Sequence, residues 1–479
     1  MTKKFILLIL SVVLLLVVLV LIQWRLERDV NHERFKPLTP KDVVHLSPLN
    51  RFMVNAILHV VRFSGRWNYP RVTDGDFPNM TFVDKLYWLY KSQYPICRGE
   101  RGGNLEEFFA ENRRRKISLP SGFIPKHPLT LSAVGDLMQH DTLASQHYSP
   151  YRTIGDKLFS ADISFGNLES PLTGQDLKNL TVREDESPAL CMSQVQFERL
   201  KGDGSRQFTV MATAGNHSLD FAEEGVLTTR SSLAKAGIRA VGTNEQAEGQ
   251  GRGEIIEKKS VRIGFVAATF GLNGKLFPQG KEYLVNRVAL NQVSGAIDLS
   301  SLETQIAWCR RMGCDFIVAS LHWGLEYEFF PTSQQITLAH RIIELGVDLI
   351  LGHHSHVIQP VEYYTPKRDS DRIAPIYYSL GNLSNPFETP FMALSLLSLI
   401  ELSKGTINGK SVTYVRKVTN IPVIQELHTG ESSGIEFRPL LESLDDTTGT
   451  PYKRNFTHQA KTYADLVLGD GWRTQDRRE

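Results

Sequence analysis

From Leu129 onward, short apolar runs rich in β-branched and aromatic residues alternate with segments whose apolar positions recur at helical spacing. Candidate strands fall at 129–134, 163–165, 208–213, 239–241, 261–270, 316–321, 349–351 and 376–380. Between them, 302–312 reads as a helix. So does 333–345, where Thr332 stands as N-cap, Gln335 completes a capping box, and Ile336, Ala339 and Ile343 share one face. A third helix starts near Asp220, with Glu223 three residues on, and stops at Gly237. Strands alternating with helices predict an α/β layered domain. After Tyr378 the texture is mainly β, with runs at 392–402 and 412–418, and from about 431 the chain turns polar. Residues 25–125 mix charges, aromatics and turn formers, with a short helix expected over 84–90. Pro120, Pro125 and Pro128 mark a linker after the basic run Arg113 to Lys116.

The first residues follow a different rule. An apolar run from Phe5 to Ile22 follows Lys3 and Lys4, broken only by Ser11, with Trp24 at the end where an interfacial aromatic belongs. No small-residue cleavage site follows, which favours an uncleaved transmembrane helix over a signal peptide. The expected organisation is therefore a membrane anchor over 1–24, a stalk or cap over 25–125, the main domain over 126–430 and a polar tail over 431–479. Since no second span follows, the main domain is expected to be extracytoplasmic.

Charge and cysteine usage remove several function classes. Lys+Arg total 54 against 52 Asp+Glu, so no broad basic face is expected for nucleic acid. Four cysteines in 479 residues do not make a disulfide scaffold.

Candidate chemistry sits where polar side chains directly follow buried strands, because ligand sites in open α/β sheets collect at strand carboxyl ends. Gly135-Asp136 is the first such place, and in isolation it reads sooner as a turn or helix cap than as a ligand. In Gly166-Asn167-Leu168-Glu169, Asn167 and Glu169 point the same way if the strand continues. Asn216-His217 offers an amide oxygen and an imidazole; Asp220 reads as the cap of the next helix. His322 stands at another strand end, and a lone histidine there is more often structural than a ligand. The sharpest signal is His353-His354-Ser355-His356, where one structural histidine is ordinary but three are not. Carboxylate, amide and imidazole donors without thiolates suit Mn, Fe or Zn, as one or two ions that could activate water for attack at phosphorus.

In this order the pieces resemble the calcineurin-like metallophosphatase superfamily, and more closely the CapA-type poly-γ-glutamate capsule-synthesis family. The residues that carry the resemblance are Gly135-Asp136, Phe165 to Glu169, Gly215 to Asp220, His322-Trp323-Gly324 with Glu326 and Tyr327, Gly352 to Val357 with Gln359, and Tyr378 to Asn382. The resemblance implies a four-layer αββα sandwich with a metal site at one edge. It implies Asp136, Asn216, His217, His322, His354 and His356 as the metal and catalytic set, with Glu169 or Asn167 in the place of a bridging aspartate. Asn216 would be a ligand and His217 a contact to the leaving group or phosphate. Implied partners are a membrane, an anionic polymer or its precursor, and other capsule-synthase subunits. Two departures stand out: the superfamily's Asp-x-His is Asp136-Leu137-Met138 here, and its Gly-Asp is Gly166-Asn167. The reading therefore divides between a metal-dependent phosphoesterase or amide hydrolase and a non-catalytic polymer-binding assembly factor.

Overall fold

The computed structural model describes residues 40, 47–174, 189–428, 433–446 and 448–475. Fourteen strands among them form two sheets. In the first, β1 (Ile124–Leu137) is central, flanked by β2 (Ile163–Leu168), β3 (Val210–Ala212) and β4 (Arg239–Val241), all parallel. The second is built on β6 (Val261–Thr269), β7 (Phe316–His322) and β8 (Leu349–His353), with β5 (Glu254–Lys258) antiparallel at one edge. Its other side carries β10 (Ala374–Tyr377), parallel to β8, and β9 (Val361–Tyr364) at the edge. The chain then returns to the first sheet. There β11 (Asn382–Ser384) pairs with β1, and β12 (Leu394–Ile407), β13 (Lys410–His428) and β14 (Gly434–Pro439) complete its antiparallel half.

Side-chain alternation explains the packing. Leu131, Ala133, Phe165, Val210 and Ala212 share a core with the second sheet, and Phe165 stacks on Phe265 with ring centroids 6.1 Å apart. Their neighbours Val134, Leu137, Leu168 and Met211 point the other way, against Leu158, Phe197 and Leu200. Every residue of β7 and β8 is buried, as expected for parallel strands covered on both faces. Helices Ser300–Arg311 and Ser333–Glu344 bring Leu302, Ile306, Ala339 and Ile342 to that core.

Several expectations meet the structure with altered ends. The helix expected over 84–90 runs Phe82–Gln93, because Thr81 and Asp84 form a capping box that adds a turn. Thr332 does cap its helix, accepting from the Gln335 amide at 3.1 Å, but the Gln335 side chain does not return to it. The strand expected over 376–380 lies at Ala374–Tyr377. The polar stretch after 431 carries β14 and the helix Pro451–Leu468, whose Ala460, Ala464 and Val467 join the main core. The single-pass anchor, and with it the extracytoplasmic placement, is set aside. Among the described residues no helix is long and apolar enough to cross a membrane, and the run 5–22 lies outside them.

A buried carboxylate, Glu436, sits on β14 at the edge of the antiparallel half of the first sheet. Burial alone would raise the Glu436 carboxyl, but His428 (3.3 Å) and Arg152 (2.8 Å) beside it hold it down to about 2. A carboxylate depressed below its usual 4.5 stabilises the fold fully above that pH and loses its contribution as pH falls towards 2. Thermal unfolding should therefore lose Tm more steeply over that interval in the parent than in Glu436→Gln. Parallel slopes in the two proteins would refute this role.

Candidate metal centre

The glycines of two site motifs are there for space. A Cβ on Gly135 would lie 2.0 Å from the Gly381 carbonyl oxygen, and one on Gly352 would lie 2.1 Å from that of Tyr378. Without side chains, these strand ends accept close backbone neighbours, and the Asp136 amide donates to the Gly381 carbonyl at 2.8 Å. The ends of β1 and β2 are in register, Asp136 opposite Asn167, and so are those of β7 and β8, His322 opposite His353. Both pairs open on one edge of the sandwich.

Asp136 is fully buried and multiply held. Its Oδ1 accepts from Asn167 Nδ2 at 2.8 Å and lies 2.9 Å from His353 Nδ1, while its Oδ2 accepts from the His354 backbone amide at 3.2 Å. Burial opposes its charge, but the histidines around it, His353 first, keep the carboxyl at about 2. Glu169 has the opposite environment. Both of its oxygens are buried and without a hydrogen-bond partner. Burial, then the charges of Asp136 and Glu326, push its carboxyl well above the usual range. His322 Nε2 lies 3.8 Å and His356 Nε2 3.7 Å from Glu169 Oε1. His322 Nε2 is also 2.9 Å from Asn216 Oδ1, and burial drives its pKa down to about 3. Burial likewise drives His354 well below its ordinary value, and its Nδ1 has no partner.

His322 and His354 are thereby held neutral and Asp136 ionised, as metal ligands must be, while the raised Glu169 carboxyl and the unpaired atoms mark a place that lacks a positive charge, which a cation would supply. One ligand atom each from Glu169, His322 and His354 lie within 4.8 Å of one another, and so do atoms of Asp136, Glu169 and His356. Leaving such groups buried and unpartnered is costly, and a cation would offset that cost. The residues therefore fit a divalent metal, with Glu169 common to both groups. Backbone strain points the same way. His354 and His356 adopt φ of 91° and 56°, and Tyr327, whose ring lies 5.9 Å from that of His356, adopts 62°. Such left-handed backbone costs on the order of 1–3 kcal/mol for each non-glycine residue, and it concentrates at functional sites.

The sequence-derived residues converge. Asp136, Asn167, Glu169, His322, His354 and His356 form the cluster, and Asn216 touches it through His322. Asn167 gives its amide nitrogen to Asp136, and its Oδ1 has no partner. His217 stands beside the cluster: its Nδ1 is 2.7 Å from Asp220 Oδ2, and its ring nitrogens lie 3.4 and 3.5 Å from Asn273 Nδ2. This corrects the reading of Asp220 as a helix cap. The helix runs Ala222–Lys235 without a side-chain cap, and Asp220 instead orients His217 and accepts from the Leu190 amide. His353 was not among the expected ligands, although its place in the histidine tract was the signal; it holds Asp136. Asn382, which holds His356 Nδ1 at 3.0 Å, closes the motif Tyr378 to Asn382. Asn273 carries no sequence signal at all.

An α/β sandwich with a buried carboxylate–imidazole cluster at one strand edge is the class these observations define. The sequence matches the family described as "Bacterial capsule synthesis protein PGA_cap" over residues 130–386, more than half of the chain. This protein belongs to that family of CapA-type capsule synthesis proteins, with which the metallophosphatase superfamily is consistent. It is 27% identical over 264 residues to the capsule biosynthesis protein CapA of Bacillus anthracis, covering 53% of this chain and 59% of that one. It is 28% identical over 262 residues to the PGA biosynthesis protein CapA of Bacillus subtilis (strain 168), covering 53% and 62%. A probable polyglutamine synthesis accessory protein of Mycobacterium tuberculosis is 28% identical over 186 residues, covering 37% of this chain and 46% of its own. The chain thus spans less than two thirds of the length of each of these relatives.

A metal that binds the folded protein must stabilise it, by about 2.7 kcal/mol at a hundredfold excess over its dissociation constant. Divalent Mn, Fe or Zn is expected to raise the Tm of the parent and to leave that of Glu169→Ala unchanged, read by calorimetry. An equal rise in both proteins would place the ion elsewhere.

Proposed function

We propose that this protein works in the synthesis, export or processing of an anionic, γ-linked glutamate polymer as a metal-dependent hydrolase. The observation that carries this is the convergence of unpartnered buried donor atoms from Glu169 and His354 on the Asp136–His322–His356 cluster. The two facing sheets with helices packed on the core support the four-layer αββα metallophosphatase-like arrangement. In this reading Asp136, Asn167, Glu169, Asn216, His322, His354 and His356 hold one or two ions of Mn, Fe or Zn, and Glu169 serves both positions. When bound, such a metal supplies Lewis-acid polarisation of a phosphoryl or carbonyl oxygen.

The remaining steps belong to the chain. The Asp220 carboxylate fixes the His217 ring through Nδ1, so Nε2, which has the Asn273 amide nitrogen 3.4 Å away, is the atom that would exchange a proton with a reacting or leaving group. Asn273 braces that ring and the Asn216 amide together. The buried Tyr327 ring packs on His356, with centroids 5.9 Å apart. The curated relatives named for capsule, PGA or polyglutamine synthesis support the polymer as substrate class and further synthase subunits as partners.

A second reading, a polymer-holding factor without catalysis, is favoured by one feature. Asn167 puts a neutral amide where a superfamily phosphatase has a carboxylate, and Met138, where the imidazole would be, is buried in the core.

Metal analysis by mass spectrometry, followed by Mn-dependent assays on a general phosphodiester and on γ-linked glutamate oligomers, tests the proposal. His217→Ala should keep the metal and lose about a hundredfold or more in turnover, the ordinary weight of a general acid or base. Full polymer production by metal-free protein would leave only the holding role.

A further inference from the structure

The helix Ser300–Arg311 stops in a way that brings two sulfurs together. Gly313, with φ of 75°, turns the chain out of the helix, and its amide donates to the Arg310 carbonyl at 3.0 Å. One residue on, the Cys314 amide reaches back to the Cys309 carbonyl, also at 3.0 Å. This pair of bonds ends a helix over a contact between the two outer side chains, which is ordinarily apolar. Here those side chains are Cys309 and Cys314, both buried.

The place is shaped for them. A Cβ on Gly264 of β6 would lie 2.8 Å from Cys309 Sγ and 3.1 Å from Cys314 Sγ, and one on Gly253 would lie 2.6 Å from Cys309 Sγ. Both sulfurs therefore face the same bare glycine, in a slot that a second glycine keeps clear.

Two thiols of equal character would be inert packing. These two differ. The Cys309 thiol beside it, and behind that the guanidinium groups of Arg262 and Arg310, hold the Cys314 thiol below its ordinary value although burial opposes this. Arg262 belongs to the same turn, its Nη1 donating to the Met312 carbonyl. The contact with Cys314, and then burial, push the Cys309 thiol up. Desolvation raises the thiols of Cys97 and Cys191 as well. The thiolate is the form that oxidises, so of the four cysteines Cys314 reacts first. It keeps 6% of its surface exposed and Cys309 none, which selects a small oxidant and the same order of attack.

We propose that Cys309 and Cys314 are a redox site, at which a peroxide closes a disulfide that ties the end of this helix to the entry of β7. The Cys314 thiolate attacks one oxygen of hydrogen peroxide; an S–O bond forms, the O–O bond breaks, and the departing hydroxide takes up a proton to become water. The Cys309 sulfur then attacks the Cys314 sulfenic acid. The S–S bond forms as the S–O bond breaks, and the Cys309 proton leaves with that hydroxide as a second water. Two thiols are oxidised and one peroxide is reduced. The pair lies at the opposite end of β7 from His322, so the inference is independent of the metal reading.

Treating the full chain with hydrogen peroxide, unfolding it in the presence of an alkylating reagent and mapping its peptides by mass spectrometry tests this. Trypsin cuts after Arg310 and Arg311, so the bond should appear as two peptides held together, with Cys97 and Cys191 alkylated. The Tm should rise by roughly 3 °C and return with a reductant. Cys309→Ser should stop at a sulfenic acid on Cys314, trapped by a cyclic diketone. Cys314→Ser should leave Cys309 untrapped, and neither variant should gain Tm. Should either fail to fold, the peptide map of the parent decides alone. Alkylation of both thiols after peroxide, further oxidation of Cys314 without a bond, or a bond from either residue to Cys97 or Cys191 overturns the site.

Discussion

One buried carboxylate joins the two sheets at the edge where the chemistry lies. Asp136, on the central strand of the first sheet, takes hydrogen bonds from Asn167 on its own sheet and from the histidine loop that ends β8 in the other. A charge buried in this way is tolerable only while every partner stays in place. The same contacts therefore fix the register of the sheets at this edge and hold His353, His354 and His356 where they can converge. Position and charge are set together, and Glu169 is left as the one carboxylate of the cluster that the protein does not satisfy.

The site reads as a compromise between stability and readiness. Close backbone approaches at Gly135 and Gly352, left-handed backbone at His354 and His356, and unpaired polar atoms at Glu169 and His354 each cost the fold something. None is needed to pack a sandwich. Local rules broken together at one place mark function more firmly than any single residue type does.

Much of this was legible in sequence, for identifiable reasons. The buried parallel strands announced themselves as apolar runs ending in polar side chains, so Asp136, His322 and the histidine tract could be placed at strand ends before their meeting was known. The roles of second partners were not legible. Asp220 has the spacing of a helix cap, and only the tertiary fold turns it towards His217. Asn273 lies in a loop whose residues predict only a turn. The helix Pro451–Leu468 escaped because its buried face is made of small residues, Ala460 and Ala464, among charged ones. The helix that carries Trp88 was expected as a short piece, but its docking on Glu326 and Glu328 joins positions more than 230 apart, which no local pattern encodes.

The place of β1 has a consequence for where this protein ends as a physical object. The family-matched span closes at residue 386, whereas β12, which pairs with β1 from Ile124 to Ala133, begins only at Leu394. A polypeptide cut to the matched span would keep every imidazole of the cluster and strip the central strand of its antiparallel neighbour. The bare row of amides and carbonyls left behind is a template for sticking to other chains. The smallest autonomous unit is therefore larger than the stretch that evolution makes recognisable.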